Sequence, residues 1–337
     1  ERRGSHSFDR RDVDDRTAMS GVDHRARHRL GAQDHVLQVR PMKGVDPLLA
    51  RLQQRRREHA ARIVHEHVDP AVGSDGGLDC KVAVVTGGGA GIGRGIANGL
   101  AAFGATVAIW ERDPETCAAA AAEVDGLAVP VDVRVSEQVD AAVETTIAAH
   151  GRIDVLVNNA GGVFAAPLLE TSEKGIDALH RANLKHVILC TQAVARTMVD
   201  GGHGGSIINV TSIEGIRAAP LYAAYAAAKA GVISFTKTAA LELALEGIRV
   251  NALAPDITLT EGMEALAPPG GRERWGRTVP MGRVGHVDEM AGAAVFLASE
   301  LSSYVTGQTI HVDGGTHASS GWYHHPDDDR YVYGPHD

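Results

Sequence analysis

The chain has 337 residues, only 4% of them aromatic, and a formal net charge of −9, a length that allows one large domain or two small ones. Residues 1–79 hold 15 Lys and Arg against 13 Asp and Glu, whereas the remainder holds 18 against 29. This acidic remainder argues against nucleic acid as a partner. No apolar run approaches the roughly 20 residues that a bilayer-spanning helix needs, so we expect no membrane partner.

The cysteines and the N-terminus favour a cytoplasmic protein. Cys80, Cys117 and Cys190 form no CxxC pair and no metal-ligand spacing, which is typical of reduced thiols. The first residues also lack the apolar segment of a secretory signal. We therefore predict a cytoplasmic location.

Residues 1–79 differ in composition from the rest of the chain. They hold seven of the 17 histidines and 14 arginines but one lysine, with few large apolar residues. Such a segment cannot bury enough apolar surface to offset its chain entropy, so we predict a largely disordered extension with a possible helix over 47–67. His65 and His67 flank Glu66, but a solvated charged face is a better interpretation than a metal site, and we predict no metal.

From residue 81 onward, apolar strands alternate with Ala-rich helical stretches. This pattern is typical of a parallel sheet that is covered on both faces. It predicts a single α/β domain over residues 80–315, with a Rossmann-like, doubly wound, seven-stranded parallel sheet and helices on both faces. The strands are predicted at 81–86, 105–110, 127–131, 153–158, 205–211, 248–252 and 308–312, and the helices at 91–103, 114–124, 136–149, 172–199, 222–245 and 287–299.

Two further segments complete the predicted organisation. Residues 256–285, rich in Gly, Pro and Arg, predict a mobile lid rather than a strand. Residues 316–337 form a polar and aromatic tail, for which an extension into a neighbouring subunit's site and a frayed end remain open. Right-handed crossovers would place the ligand crevice at the carboxyl ends of the strands.

A glycine-rich turn follows the first predicted strand. Gly87, Gly91 and Gly93 would let the backbone turn tightly, approach a pyrophosphate and start a helix whose N–H groups bind phosphate. Glu111 ends the second strand, where a carboxylate accepts hydrogen bonds from the adenosine ribose and repels a 2′-phosphate. Arg112 beside it could instead pair with a 2′-phosphate. The turn predicts a dinucleotide site for NAD, with NADP possible.

A second constellation supplies acid/base chemistry. Lys229 follows Tyr225 by four residues, and Ser212 precedes the tyrosine by thirteen. A lysine one turn away, with a positively charged nicotinamide ring, would lower the phenol pKa from about 10. We predict that Tyr225 is the general acid/base, that Lys229 lowers its pKa and binds the ribose, and that the Ser212 hydroxyl orients the substrate oxygen. Tyr222 lies at the wrong spacing for these partners and is interpreted as a substrate-side or packing residue.

The glycine turn and Tyr225-Ala-Ala-Ala-Lys229, in this order, resemble the short-chain dehydrogenase/reductase family over residues 81–315. The resemblance implies an oxidoreductase that interconverts a secondary alcohol and a ketone, acts on a small molecule and forms a homotetramer. It also implies that Asn183 holds a water on the proton path to Lys229. The other cofactor-binding residues that it implies are Ile92, Asp132, Val133, Asn159, Ala160, Gly161, Pro255, Thr258 and Thr260, together with Tyr225 and Lys229.

One residue departs from the family pattern. Asp256 stands where the family usually carries Gly after Pro255. Asp tolerates a positive φ better than most residues, so we expect the turn to survive. The added charge leaves the cofactor geometry and the charge preference for substrate open.

Two other functions remain open on the sequence. An NADPH-dependent 3-oxoacyl-thioester reductase would share every catalytic residue, but it would need a basic docking patch for a carrier protein, and the lid offers only Arg272, Arg274, Arg277 and Arg283. A non-catalytic NAD-binding module usually lacks the tyrosine or the lysine. Fold resemblance does not identify the substrate.

Overall fold

The computed structural model describes residues 77–266, 271–325 and 330–333. The predicted extension therefore lies outside the described residues up to position 76, including the possible helix at 47–67 and the His65-Glu66-His67 sequence. Within the described ranges no helix is long and apolar enough to cross a membrane.

The central sheet confirms the predicted fold, because seven parallel strands are present near the predicted positions. Their order across the sheet is β3-β2-β1-β4-β5-β6-β9. Strands β2 and β3 therefore extend the sheet to one side of β1, and β4 and the later strands extend it to the other side. The strands and the short pair β7 and β8 are β1 (Val82–Thr86), β2 (Thr106–Glu111), β3 (Leu127–Pro130), β4 (Val155–Asn158), β5 (Gly205–Val210), β6 (Ile248–Pro255), β7 (Thr258–Leu259), β8 (Gly285–His286) and β9 (Thr309–Val312).

Helices cover both faces of the sheet. The helices α1, α2 and α9 pack on one apolar core, and α3, α5 and α6 pack on the other. Because both faces are covered, every residue of β1 and of β4 is buried. The helices are α1 (Gly91–Ala102), α2 (Pro114–Glu123), α3 (Ser136–His150), α4 (Glu173–His180), α5 (His186–Gly201), α6 (Ala223–Leu243), α7 (Glu261–Leu266), α8 (Gly271–Gly276), α9 (Val287–Ala298) and α10 (Thr316–Ser319).

Two glycines let α1 and α9 approach closely. A Cβ atom at Gly95 would lie 2.6 Å from Cβ of Val287, and one at Gly99 would lie 2.7 Å from Cβ of Ala291. Side chains at either position would push the helices apart. The contact fixes the position of α1 against α9, and the glycine-rich turn lies directly before α1.

The structure corrects the prediction in two places, the helix 172–199 and the lid. The predicted helix 172–199 is two helices, α4 and α5, separated by a π-helical turn at Arg181–Lys185. The lid, predicted to contain no strand, carries β7 and β8, which pair in parallel for two residues each. In the tail, for which the sequence left two alternatives open, the described residues contain α10 and the antiparallel pair β10 (Trp322–His324) and β11 (Tyr331–Tyr333), and the Tyr331 hydroxyl donates to the carbonyl of Pro280 at 3.0 Å.

Candidate active site

A cleft of about 540 Å³ lies at the carboxyl ends of the central strands. It brings together the two constellations that the sequence predicts, because Gly87 and Glu111 line one end and Ser212, Tyr225 and Lys229 line the other. The other predicted residues that line it are Ile92, Asn159, Ala160, Gly161, Pro255, Thr258 and Thr260.

Five predicted residues lie outside this lining. Asp132 and Val133 line a smaller cavity of about 160 Å³, which shares Gly87, Glu111, Ala160 and Gly161 with the main cleft. Gly93 packs under the glycine turn, and Asn183 lies behind Gly161. Gly91 lies at the side of the turn, where an added Cβ would contact Thr260 at 3.2 Å.

The serine, tyrosine and lysine are held by the junction of β5 and α6. Ser212 follows β5 by two residues, and its Oγ accepts a hydrogen bond from the Glu214 amide at 3.1 Å. The Lys229 ammonium donates to the Val210 carbonyl at 2.9 Å, and the Thr211 hydroxyl donates to the Lys229 carbonyl at 2.9 Å. These bonds attach the first turns of α6 to the end of β5.

The prediction that Lys229 lowers the pKa of Tyr225 is wrong for the protein without cofactor, whereas the lowering predicted for a positively charged nicotinamide ring stays a prediction. Burial raises the pKa of Tyr225, a hydrogen bond with Ser212 acts in the opposite direction, and the Glu214 carboxylate raises it further. The Lys229 Nζ lies 5.7 Å from the centroid of the Tyr225 ring and donates to Val210 instead. The phenol is therefore protonated at neutral pH, which suits an acid that donates to a carbonyl oxygen.

Lys229 itself is almost completely buried. Burial lowers the pKa of its ammonium from 10.5 to about 8, because a charged group loses its hydration inside the protein. Between these two values the unfolded chain binds more protons than the folded protein does, so stability rises with pH in that window.

We expect this effect to appear as a pH-dependent difference between wild type and Lys229→Met. The free energy of unfolding of wild type should rise relative to that of the variant by about 2 to 3 kcal/mol between pH 7 and pH 10. Urea unfolding of both proteins at the two pH values measures the difference, and other titrating groups cancel in it. A difference that does not change with pH would contradict the assignment of a buried ammonium to Lys229.

Asn183 lies in the π-helical turn between α4 and α5, fully buried. Its side-chain nitrogen donates to the carbonyls of Gly162 at 2.8 Å and Leu179 at 2.9 Å. An added Cβ at Gly161 would lie 3.0 Å from Oδ1 of Asn183 and 3.9 Å from Nζ of Lys229. The asparagine and the lysine therefore approach the same backbone segment, at a wide helical turn of the kind that often marks a functional site.

His186, which belongs to none of the sequence motifs above, is buried beside this group. Neither ring nitrogen makes a hydrogen bond within the part of the chain that the structure describes. Burial, and then the charge of Lys229, lowers the pKa of His186 to about 3, although the Ala182 carbonyl acts against this. The imidazole is thus neutral at ordinary pH, and its position three residues after Asn183 is the only signal that the sequence carries.

The glycine turn fits a pyrophosphate. Gly87 has a φ of +62°, and a Cβ there would lie 2.8 Å from Cα of Ala160. A Cβ on Gly93 would lie 2.2 Å from the carbonyl oxygen of Gly87. Ala90, which precedes α1, provides no capping side chain, and the first turn of α1 holds no acidic residue. The N–H groups of this turn thus remain available to an anion, with the partial positive charge of the helix end behind them.

Glu111 lies beside the turn. Its Oε1 accepts a hydrogen bond from the Arg112 amide at 2.7 Å, and an added Cβ at Gly89 would lie 2.8 Å from its Cγ. Asp132 forms an ion pair that the sequence did not indicate, because Arg134 donates to both of its carboxylate oxygens. That hydrogen-bonded pair lowers the pKa of Asp132 to about 2.

Two asparagines connect the central strands. Asn158 donates to Oδ1 of Asn209 at 2.9 Å, which links β4 to β5. Asn159 donates through its side chain to the carbonyls of Thr86 and Gly87, each at 3.1 Å. These bonds hold the glycine turn against the end of β4.

The segment after β6 differs from expectation at Asp256. Asp256 does not have a positive φ, so the turn does not require a residue that tolerates this conformation. The Thr258 hydroxyl donates to the Asp256 carbonyl at 3.0 Å, and the Thr260 hydroxyl accepts from the Met263 amide at 3.2 Å. The Asp256 carboxylate instead pairs with Arg217, 39 residues away.

Comparison with known proteins identifies the family. A family model described as enoyl-(acyl carrier protein) reductase matches residues 87–317. The sorbitol dehydrogenase of Cereibacter sphaeroides is 40% identical over 250 residues, which cover 71% of this chain and 98% of that protein. The chain belongs to the short-chain dehydrogenase/reductase family. It is therefore an oxidoreductase of a family that uses nicotinamide cofactors.

Other short-chain dehydrogenases/reductases agree with this assignment but differ in name. The 3-oxoacyl-(acyl-carrier-protein) reductase of Thermotoga maritima is 43% identical over 243 residues, covering 71% of this chain and 98% of that protein. A solved short-chain type dehydrogenase/reductase from Mycobacterium marinum is 34% identical with a TM-score of 0.68, covering 72% and 97% of the two chains. Both an alcohol dehydrogenase and an acyl-thioester reductase thus resemble the chain at similar identity.

Proposed function

We propose that the protein is an NAD(H)-dependent oxidoreductase that interconverts a secondary alcohol and a ketone. The observation that carries this proposal is that Ser212, Tyr225 and Lys229 share one cleft with the glycine turn after β1, with Ser212 and Lys229 buried and Tyr225 half-buried. A proton donor and a dinucleotide site in one cleft are the two parts that carbonyl reduction requires.

Each residue has a specific role in this proposal. A bound NAD⁺ would supply the acceptor for the hydride that leaves the carbinol carbon, and NADH would supply the hydride donor in the reverse direction. During reduction Tyr225 donates its proton to the carbonyl oxygen, and during oxidation its phenolate, which the positive charge of a bound NAD⁺ would favour, receives the hydroxyl proton. Ser212 donates a hydrogen bond to the substrate oxygen, and Lys229 anchors the nicotinamide ribose. Asn183 positions a water that passes the proton from Lys229 to solvent.

The remaining predicted residues would hold the cofactor. Glu111 would accept hydrogen bonds from the adenosine ribose, Asp132 and Val133 would contact the adenine, and Asn159 would support the turn beneath the nucleotide. Thr258 and Thr260, which follow Pro255, would contact the nicotinamide carboxamide. The backbone N–H groups at the start of α1 bind the pyrophosphate beside Gly87, Gly91, Ile92, Gly93, Ala160 and Gly161.

The cofactor preference rests on Glu111, because a carboxylate beside the turn repels a 2′-phosphate. We expect NADH to bind at least about tenfold more tightly than NADPH, a difference of about 1.4 kcal/mol. In Glu111→Ala this ratio should fall to about one, whereas the control Arg112→Ala should leave NADH binding within about twofold of wild type. Nucleotide fluorescence titrations at one salt concentration measure all six dissociation constants. A preference for NADPH in wild type would contradict the proposal.

A 3-oxoacyl-thioester reductase is the second candidate, because the Thermotoga maritima relative carries that name. The lid gives it little support, since two of its arginines are neutralised: Arg272 pairs with Glu264, and Arg283 pairs with Glu289. A docking surface for an acidic carrier protein needs basic groups that are not already paired. A preference for NADPH in the titrations above would bring this candidate to first place.

We also propose a homotetramer in the cytoplasm. The apolar side chains of Leu241, Leu301 and Phe296 are exposed on the isolated subunit, as expected for surfaces that pack across subunits. Light scattering of the purified protein tests the assembly, and a monomer would contradict it.

A further inference from the structure

Three charged side chains form a connected group at the substrate end of the cleft. Glu214 follows Ser212 by two residues, Asp256 directly follows β6, and both line the cleft. Arg217 joins them, because its Nη2 lies 2.7 Å from Oε1 of Glu214 and 3.3 Å from Oδ1 of Asp256. We call Glu214, Arg217 and Asp256 the charged triad.

The triad leaves acceptor oxygens available to a ligand. Arg217 uses one oxygen from each carboxylate. Within the described part of the chain, Oε2 of Glu214 and Oδ2 of Asp256 accept no hydrogen bond, although the Asp256 side chain is only 6% exposed and the Glu214 side chain 25%. Both carboxylates line the cleft, so these two oxygens are suited to a ligand that donates hydrogen bonds.

The triad lies next to the reacting group. The Glu214 amide donates to the Ser212 hydroxyl, which belongs to the serine that would hold the substrate oxygen. The Glu214 carboxylate is also close enough to Tyr225 to contribute to the rise in its pKa. A hydroxyl on a carbon near the reacting carbinol would therefore be within reach of the triad.

We propose that the charged triad selects neutral polyhydric alcohols, whose additional hydroxyls donate to Glu214 and Asp256. This inference rests on the proposed function. Two carboxylates against one guanidinium leave a net charge of −1, which disfavours an anionic substrate. An apolar acyl chain offers no donor, so it would leave the two oxygens unpaired when it displaced water from them.

A series of four-carbon alcohols tests the inference at constant chain length. The purified wild-type enzyme is assayed with NAD⁺ and with butan-2-ol, butane-2,3-diol and both diastereomers of butane-1,2,3,4-tetrol. We expect kcat/KM to rise along the series, with the better tetrol at least about tenfold above butan-2-ol, the effect of one hydrogen bond to a charged group. The rise should lie mainly in KM, because the contacts to non-reacting hydroxyls form equally in the ground state and the transition state. The anion 3-hydroxybutanoate should be poorer than butane-1,3-diol.

Variants assign the effect to the triad. Asp256→Gly, which restores the residue usual in the family, should lower kcat/KM for the tetrol by about 10- to 100-fold and leave butan-2-ol within about threefold. Glu214→Gln should act in the same direction, so the inference does not depend on one variant folding. Asp288→Asn is the matched control, because that side chain is 80% exposed and does not line the cleft. NADH binding by each variant verifies that the cofactor site is intact.

The outcomes separate the inference from the proposed function. If wild type oxidises butan-2-ol as well as the tetrols, or if both triad variants keep the wild-type preference, the inference is overturned and the alcohol oxidoreductase stands. If wild type oxidises no alcohol but reduces a 3-oxoacyl thioester with NADPH, the proposed function and the inference are both overturned.

Discussion

Tyr225→Phe should lower the rate of alcohol oxidation by roughly 100- to 10,000-fold, the usual contribution of a positioned general acid or base. The substitution removes one oxygen and leaves the ring, so the buried surface and the position of α6 are preserved. NADH affinity should stay within about threefold of wild type, because the substitution keeps the ring and removes only the hydroxyl, whose proton is needed for the reaction. Steady-state assays with the alcohol series and fluorescence titration of NADH measure the two quantities separately.

Tyr222 provides the matched control. It lies three residues before Tyr225 and lines the same cleft. The substitution Tyr222→Phe also removes only a hydroxyl, but it should reduce kcat by no more than about tenfold. An active Tyr225→Phe variant would contradict the proposed acid/base role. A wild type that binds NADH but turns over none of the alcohols or thioesters with either nucleotide would favour the non-catalytic NAD-binding module.

Gly93→Ala should abolish tight cofactor binding and destabilise the fold. The added Cβ would lie 2.2 Å from the Gly87 carbonyl oxygen and 2.4 Å from Nδ2 of Asn159, and backbone atoms of the turn cannot move away without displacing the phosphate-binding N–H groups. We expect a loss of about 1 to 3 kcal/mol in the free energy of unfolding, as for other overpacked sites. NADH affinity should fall at least about tenfold. Urea unfolding and NADH titration measure the two effects.

A second glycine shows that the effect comes from its position. Gly292 is exposed in α9, has no atom within 4 Å of an added Cβ and does not have a positive φ. Gly292→Ala should therefore stabilise the protein by about 0.5 to 1 kcal/mol, because alanine is the better helix former. If Gly93→Ala bound NADH as tightly as wild type, the glycine turn would not be the pyrophosphate site.

Much of the fold could be predicted because its signals are local. Each central strand is a short apolar run between turn residues, and a buried parallel strand requires such a run. The break in the predicted helix 172–199 carries no such signal, since Arg181–Lys185 contains neither Gly nor Pro. It arises from tertiary contacts of Asn183 with Gly162. The two-residue strands β7 and β8 are too short to produce a periodic pattern.

The sequence predicted most of the residues that now line one cleft, but it did not predict the electrostatics of that cleft. The spacing of Tyr225 and Lys229 places both side chains on one side of α6. The direction of the Tyr225 pKa depends instead on burial and on Glu214, and both are properties of the folded cleft. Arg217 was missed because its two partners lie three and 39 residues away. Asp256 directly follows β6, and only the fold brings the end of β6 beside Arg217.

Transfer of a labelled hydrogen tests the central claim most directly. Wild type is incubated with NAD⁺ and each alcohol of the series, deuterated at every carbon that carries a hydroxyl. The NADH that forms is analysed by mass spectrometry. The proposed reaction predicts that each NADH carries one deuterium, at a rate that Tyr225→Phe lowers by at least about 100-fold. Formation of unlabelled NADH, or equal rates in the two proteins, would contradict the account of this cleft as the site of alcohol oxidation.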